Sequence, residues 1–304
     1  MIHLNIHNET SELKSVLLGI STNFGGVPAL DECYDPKSRE HVLNNTFPLQ
    51  NKILLEINNF KKILEKYNVD IYRPYDIKDL NQIFTRDICF VIEDKLIIPN
   101  IISERSMEID AIDKLIDEVI QSDIIYMPDD SRVEGGDVVL YNDYIFIGSS
   151  LKDSFERYNV ARTNIEAVDF ISSCFPEKEI VTFDLHKSDL DPRKNALHLD
   201  CCFQPIGNGT AIIHKESFRK KQELHSLIDI FGIDNIIFVS EEEMYHMGCN
   251  VFSISNQVIV SEKKSVRINN ALRDRGFIVE EINYFEIGKM EGSFRCSTMP
   301  LERL

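Results

Sequence analysis

A chain of 304 residues, 43% hydrophobic and 27% charged, can build one large domain or two ordinary ones with ample core. A formal net charge of −17 without any Lys/Arg-rich segment argues against nucleic-acid binding and fits either solubility or the steering of a cationic substrate. No apolar run approaches the roughly 20 residues of a membrane helix, and the N-terminus lacks the basic and apolar regions of a signal peptide, so a cytoplasmic protein without membrane contact is expected. Seven cysteines form an odd set with no CxxC spacing, which argues against a disulfide framework or a zinc site; six of them read as reduced, small apolar residues.

In chain order, Ser15–Gly19 reads as a short apolar strand. Residues 22–45 have little periodicity and carry Gly25-Gly26-Val27-Pro28, a length that suits a mobile lid better than a connector. Leu49–Lys66 is a long amphipathic helix with Ile53, Ile57, Phe60 and Leu64 on one face, followed by a strand at Val69–Tyr72. Then one pattern recurs. Arg86-Asp87-Ile88-Cys89-Phe90-Val91-Ile92, a polar turn and Lys95–Pro99 form a hairpin, followed by a helix over Ser106–Gln121 and a strand at Ile124–Pro128. Gly136-Asp137-Val138-Val139-Leu140 and Tyr144–Gly148 form a second, with a helix over Thr163–Phe175 and a strand at Ile180–Phe183. Leu199-Asp200-Cys201-Cys202-Phe203, the turn Gly207-Asn208-Gly209 and Ala211–Ile213 form a third, with a helix over Ser217–Phe231 and a strand at Asn235–Val239. Cys249–Ile254 and Val258–Val260 form a fourth, with a helix over Val266–Arg275 and a strand from Phe277. The chain ends on a truncated fifth copy, Arg295-Cys296-Ser297-Thr298-Met299-Pro300-Leu301.

The hairpins open on Asp87, Asp137, Asp200, Asn250 and Cys296, spaced by 50, 63, 50 and 46 residues, the period of a repeat architecture. The unit is strand, strand, helix, strand. The C-terminal strand supplies the missing first strand of the N-terminal unit, so the expectation is an α/β ring of five ββαβ units over residues 1–304, one cooperative domain. If the copies are related by rotation, three carboxylates, an amide and a thiol fall on one ring.

Four segments, Asn81–Asp87, Glu134-Gly135-Gly136-Asp137, His198-Leu199-Asp200 and Gly292–Pro300, together resemble the guanidino-group modifying enzymes: arginine deiminases, amidinotransferases, dimethylarginine dimethylaminohydrolases and agmatine deiminases. The resemblance spans nearly the whole chain in the right order. It implies the pentein fold, a five-bladed α/β propeller with its site at the centre, and no metal or organic cofactor. A guanidinium is resonance-stabilised, so attack on its carbon needs a strong nucleophile, which the resemblance assigns to Cys296. Asp87 and Asp200 would accept the fork of guanidinium donors. His198 would protonate the departing amine and then activate the incoming nucleophile, oriented by Glu134. Asp137 is implied on the substrate side in a less direct role, and Asn250 as a hydrogen-bonding ring residue. The arginine deiminase pattern also points to Asn81, Arg105 and Arg162 as partners for an α-carboxylate.

The implied function is cysteine-dependent hydrolysis of the guanidino group of arginine or a related compound. Alternatives are amidino transfer to an amine, hydrolysis of a ureido group, and a non-catalytic binding module. A homo-oligomer is left open. Where many arginine deiminases have Arg five residues before the cysteine, this chain has Glu291, which is expected to add negative charge near the mouth. Asp200 after His-x argues against the dimethylarginine hydrolases.

Overall fold

Five three-stranded sheets repeat one pattern in the computed structural model, which describes Met1–Leu304. The strands are β1 (Leu13–Leu18), β2 (Asp70–Tyr72), β3 (Phe90–Ile92), β4 (Lys95–Ile98), β5 (Ile124–Tyr126), β6 (Val138–Tyr141), β7 (Tyr144–Ser149) and β8 (Glu179–Asp184). They continue as β9 (Phe203–Ile206), β10 (Thr210–Ile213), β11 (Ile236–Phe238), β12 (Phe252–Ser253), β13 (Val258–Glu262), β14 (Ile278–Ile282) and β15 (Thr298–Arg303). In every sheet the central strand pairs antiparallel with one neighbour and parallel with the other. The parallel pair requires a crossover, which is why a helical segment intervenes each time. The two ends of the chain share one sheet, because β15 pairs antiparallel with β1 from Leu13↔Arg303 to Leu18↔Thr298.

The turn chemistry follows the sequence. Asn208 and Gly209 both adopt positive φ (59° and 67°) in the three-residue connection between β9 and β10, a left-handed conformation that asparagine and glycine take at the least cost. Asn142 does the same between β6 and β7. Two expectations change. The helix over Ser106–Gln121 is broken into Met107–Asp110 and Asp113–Asp117, and the carbonyl of Ala111 at the break accepts from the Tyr75 N–H at 2.7 Å. Residues 22–45 are not featureless, since they contain a helix at Pro36–Leu43. Its start is written in the sequence: Asp35 caps the Ser38 N–H at 2.7 Å and Pro36 holds the first helical position.

Packing positions the turn that carries Cys296. Phe60 of the helix Gln50–Lys66 meets Phe252, Tyr284 and Phe294 edge-on, with centroids 5.9, 5.6 and 5.2 Å away. Phe294 stacks on Tyr284 at 4.2 Å, and the Tyr284 hydroxyl meets Ser297 Oγ at 2.7 Å. These contacts grip both sides of Cys296. Truncating a buried aromatic such as Phe60 costs about 3–5 kcal/mol, and here it would loosen the active-site turn as well. No helix is long and apolar enough to cross a membrane. All seven cysteines are free; five are buried, while Cys33 and Cys174 are half-buried.

Candidate active site

The five ring residues do not sit on strands. Asp87 lies in the helical turn Thr85–Ile88, Asp137 in Gly135–Asp137, Asp200 in Leu199–Cys201, and Asn250 and Cys296 in turns just before β12 and β15. The turn that follows His198 sends it and Asp200 to different partners, His198 to Glu134 and Asp200 to Cys296.

One half of the site is an acid–imidazole cluster. His198 Nε2 lies 2.9 Å from Glu134 Oε2, and His198 Nδ1 lies 3.6 Å from Asp87 Oδ1. Asp87 Oδ1 also accepts the Gly136 N–H at 3.1 Å. A Cβ on Gly136 would fall 2.6 Å from His198 Nδ1 and 2.8 Å from Asp87 Oδ1, so only glycine admits this approach. Burial favours neutral imidazole, but Asp87, the bond to Glu134 and Asp137 outweigh it, so His198 titrates above its ordinary value. Burial likewise opposes ionised Glu134; Arg162, Arg105 and His198 overcome it and hold its carboxyl well below the usual range. Asp87, Glu134 and His198 offer ligand atoms within 4.8 Å of one another, the geometry a metal would need, but two guanidinium groups already occupy their oxygens.

The other half holds the thiol. Cys296 Sγ lies 3.5 Å from Asp200 Oδ2 and 3.2 Å from Asn250 Nδ2. Asn250 Oδ1 accepts the N–H groups of Arg295 and Cys296, at 3.0 and 3.2 Å, so this side chain clamps the Cys296 backbone and faces its sulfur together. Burial, then the charges of Asp200 and Asp87, push the Cys296 thiol well above its ordinary value. The chemical groups are enclosed: Cys296 is 2% exposed, His198 1% and Asp87 3%.

Asp137 acts behind this layer. It accepts the Leu199 N–H at 2.9 Å and the Thr163 hydroxyl at 2.7 Å, fixing the turn between His198 and Asp200. The expected carboxylate clamp is not open. Arg105 donates to both oxygens of Glu108 (2.9 and 2.8 Å), to Asp87 (2.8 Å) and to Glu134 (3.1 Å). Arg162 donates to Glu134 at 3.0 Å and to the Tyr34 carbonyl at 2.7 Å. A buried guanidinium without water must find internal acceptors, and these carboxylates supply them. Asn81 makes no hydrogen bond to either arginine, its amide oxygen accepting the Ile83 N–H at 3.2 Å. It lines a cavity of about 280 Å³ under residues 24–38, with Phe24, Tyr34, Asp35 and Glu108 among the walls. Glu32, Asp79 and Glu104 also line it, and no lysine or arginine does.

Glu291 is a correction too. It is buried and accepts from Asn195 Nδ2 at 2.8 Å, and burial with neighbouring Asp35 raises its carboxyl well above the usual range, so it adds no open charge to a mouth. The sequence reading missed Glu9, Glu108 and Arg295. Arg295 had a signal, because Arg86-Asp87 and Arg295-Cys296 repeat one dipeptide position. Glu9 had none; it arrives from a remote N-terminal segment.

Comparison with known proteins follows this geometry. The family model described as N,N dimethylarginine dimethylhydrolase, eukaryotic, matches residues 36–303. The uncharacterized protein YkgA of Bacillus subtilis strain 168 is 33% identical over 223 residues, covering 73% of this chain and 70% of that protein. Among solved structures, SxtG, an amidinotransferase of Microseira wollei, superposes with a TM-score of 0.76 at 20% identity, covering 99% of this chain and 97% of SxtG. The N-terminal domain of ArgZ, a cyanobacterial arginine dihydrolase, gives 0.77 at 18% identity over 96% of this chain and 98% of that domain. Inosamine-phosphate amidinotransferase StrB1 of Streptomyces griseus gives 0.78 at 13% identity over 100% and 97%. At these identities the three structures share the α/β fold with this chain. The matching family model is that of the dimethylarginine hydrolases, so Asp200 does not set the chain apart from them. The chain belongs to the N,N dimethylarginine dimethylhydrolase family of guanidino-modifying enzymes.

Proposed function

We propose that the protein is a cysteine-dependent hydrolase that replaces one amine of a substrate guanidino group by oxygen, with the five sheets closed as a ring of ββαβ units in one catalytic domain. The observation that carries this reading is the Cys296 thiol held 3.5 Å from Asp200, in one buried set with Asp87 and the Glu134–His198 pair. A thiol this far above its ordinary range needs a counter-charge before it ionises. A guanidinium bound between Asp87 and Asp200 supplies one, so the nucleophile forms when the substrate is in place. Cys296 Sγ then bonds to the guanidino carbon, and the C–N bond to an amine breaks as His198 delivers a proton to that nitrogen. The neutral imidazole takes a proton from water, whose oxygen bonds to the same carbon, and the C–S bond breaks to return the thiolate. The net change is guanidinium plus water to a ureido product plus the protonated amine.

At the far end, Asn81, Arg105 and Arg162 can receive a substrate carboxylate only by exchanging the protein carboxylates they now hold. The acid-lined cavity beside Asn81 and Glu108 favours a neutral or cationic tail instead. Enclosure of the site favours a second reading, amidino transfer, because a centre that excludes water protects the covalent intermediate for an amine. The test is incubation of purified protein with arginine, agmatine, methylarginines and citrulline, with and without glycine or ornithine. A ureido product supports hydrolysis, a new guanidino product formed only with the added amine supports transfer, and neither product overturns both.

A further inference from the structure

Glu9 comes from the N-terminal segment before β1, is 3% exposed, and aims its carboxylate at Arg295, the residue before the nucleophile. Glu9 Oε1 accepts from Arg295 Nη2 at 2.8 Å and Oε2 from Arg295 Nε at 3.3 Å, a bidentate grip. The remaining Arg295 donor, Nη1, reaches Asp200 Oδ2 at 2.9 Å, the same oxygen that faces Cys296 Sγ. Arg295 Nη2 is further tied to the Val138 carbonyl at 2.7 Å. A chain of contacts therefore runs Glu9–Arg295–Asp200–Cys296, all of it buried.

We propose that Glu9 and Arg295 form a positioning pair for the nucleophile: Glu9 holds the Arg295 guanidinium in place, and Arg295 aims Asp200 and offsets its charge at the Cys296 sulfur. This rests on Cys296 being the nucleophile of the reaction above. Around the thiol stand Asp200 and Asp87 on the anionic side and Arg295 and Arg86 on the cationic side, with the Cys201 thiol and the Tyr284 phenol, both of which burial pushes up and so keeps neutral. Around Arg295 stand Glu9 and Asp200, with Arg86 and Arg303 adding positive charge. Arg86 approaches Glu9 only at 3.8 Å, and Arg303 bonds the Ser11 and Ser253 carbonyls, so neither touches Asp200. Arg295 is thus the cation through which Glu9 acts on the thiol.

The arrangement makes a prediction of sign that mere scaffolding does not. Removing the Arg295 charge leaves Asp200 uncompensated against the sulfur and lowers the thiolate fraction. Removing the Glu9 charge while keeping an acceptor, in Glu9→Gln, leaves the Arg295 charge less neutralised and raises the thiolate fraction. The experiment is alkylation of Cys296 by iodoacetamide at several fixed pH values, followed on the Cys296 peptide by mass spectrometry and needing no substrate. Below the thiol's midpoint the rate tracks the thiolate fraction, so Arg295→Met should be slower by about tenfold and Glu9→Gln faster by a few-fold, roughly. In turnover, Glu9→Asp keeps the charge but shortens the arm, so kcat should fall more than KM. Rates that stay at the wild-type value in Arg295→Met, or that move in the same direction in both variants, overturn the pair's electrostatic role. Should Glu9→Gln fail to fold, unchanged kcat in folded Glu9→Asp overturns the part assigned to Glu9. Because alkylation reads the thiol alone, its outcome stands apart from whether a guanidino substrate is found.

Discussion

Cys296 Sγ and Asp200 Oδ2 lie 3.5 Å apart in a site where neither residue meets solvent. A thiol beside a carboxylate is poorly ionised, and burial adds to that, while Arg295 Nη1, 2.9 Å from the same Asp200 oxygen, offsets part of the carboxylate's charge. In the proposed reaction the positive charge of a guanidinium substrate adds to that of Arg295 and favours the thiolate further.

Cys296→Ala should lower turnover by roughly 1000-fold or more, because no second group supplies the covalent step. Its thermal midpoint should stay near wild type, since alanine keeps the turn's backbone bonds to Asn250. Mass spectrometry of protein quenched during turnover should place the substrate-derived adduct on Cys296. An adduct on Cys201, Cys202 or Cys249 would reassign the nucleophile.

Glu134→Gln should move the alkaline limb of the activity profile to lower pH. In the proposed reaction the acid that protonates the leaving amine is the His198 imidazolium, so activity should be lost as pH rises through the His198 pKa. Asp87 and the bond to Glu134 raise that pKa against burial, so losing the Glu134 charge brings the limb down. The rate at the optimum should fall by about 100-fold or more. A limb that stays in place would mean another group titrates there.

Gly136→Ala tests the close approach of the turn to His198. The added carbon would sit 2.6 Å from Nδ1, so the imidazole must shift from its place between Asp87 and Glu134. A misplacement of this size costs about 100-fold in kcat. Wild-type kcat in a folded variant would show that the glycine is not required.

Arg162→Ala separates the two readings of the substrate's far end. If Arg162 meets a carboxylate, kcat/KM for arginine should fall by about 10- to 100-fold, and agmatine should gain relative to arginine. If the acid-lined cavity selects the tail, agmatine should outrun arginine on the unmodified protein.

Acid stability should depend on Glu9. Burial opposes its charge, but Arg295 and Arg86 hold its pKa down to about 2, against an ordinary 4.5. The sign follows from a depressed folded pKa: the stabilisation is full above the ordinary value and is lost as pH falls through about 2. A shift of this size corresponds to roughly 3 kcal/mol. The difference in unfolding free energy between wild type and Glu9→Gln should shrink by that order below the ordinary value. A constant difference across acid pH would show that Glu9 is not titrating.

The hairpin pattern was legible by itself because each copy carries its own turn chemistry and its own apolar strands. Asn142 and Asn208-Gly209 mark their turns, and a period-of-fifty recurrence survives any local ambiguity. Asp87, Glu134, His198, Asp200 and Cys296 could be picked out because chemistry restricts their types and the repeat restricts their places. Their geometry depended on more. The turns after His198 and Glu134 take them off the strands, a choice set by Asp137 reaching the Leu199 N–H rather than by local alternation. Arg105 and Arg162 looked like free cations in the sequence, but the charge a guanidinium carries says nothing of which carboxylate it will meet. Folding brings Glu108, Asp87 and Glu134 to them, and in a dry interior those carboxylates, with the Asn159, Tyr34 and Phe84 carbonyls, take their donors. Glu9 is the extreme case: its partner Arg295 lies at the other end of the chain, and the two ends meet where β1 pairs with β15 and where the segment around Asn5 bonds the C-terminal strand.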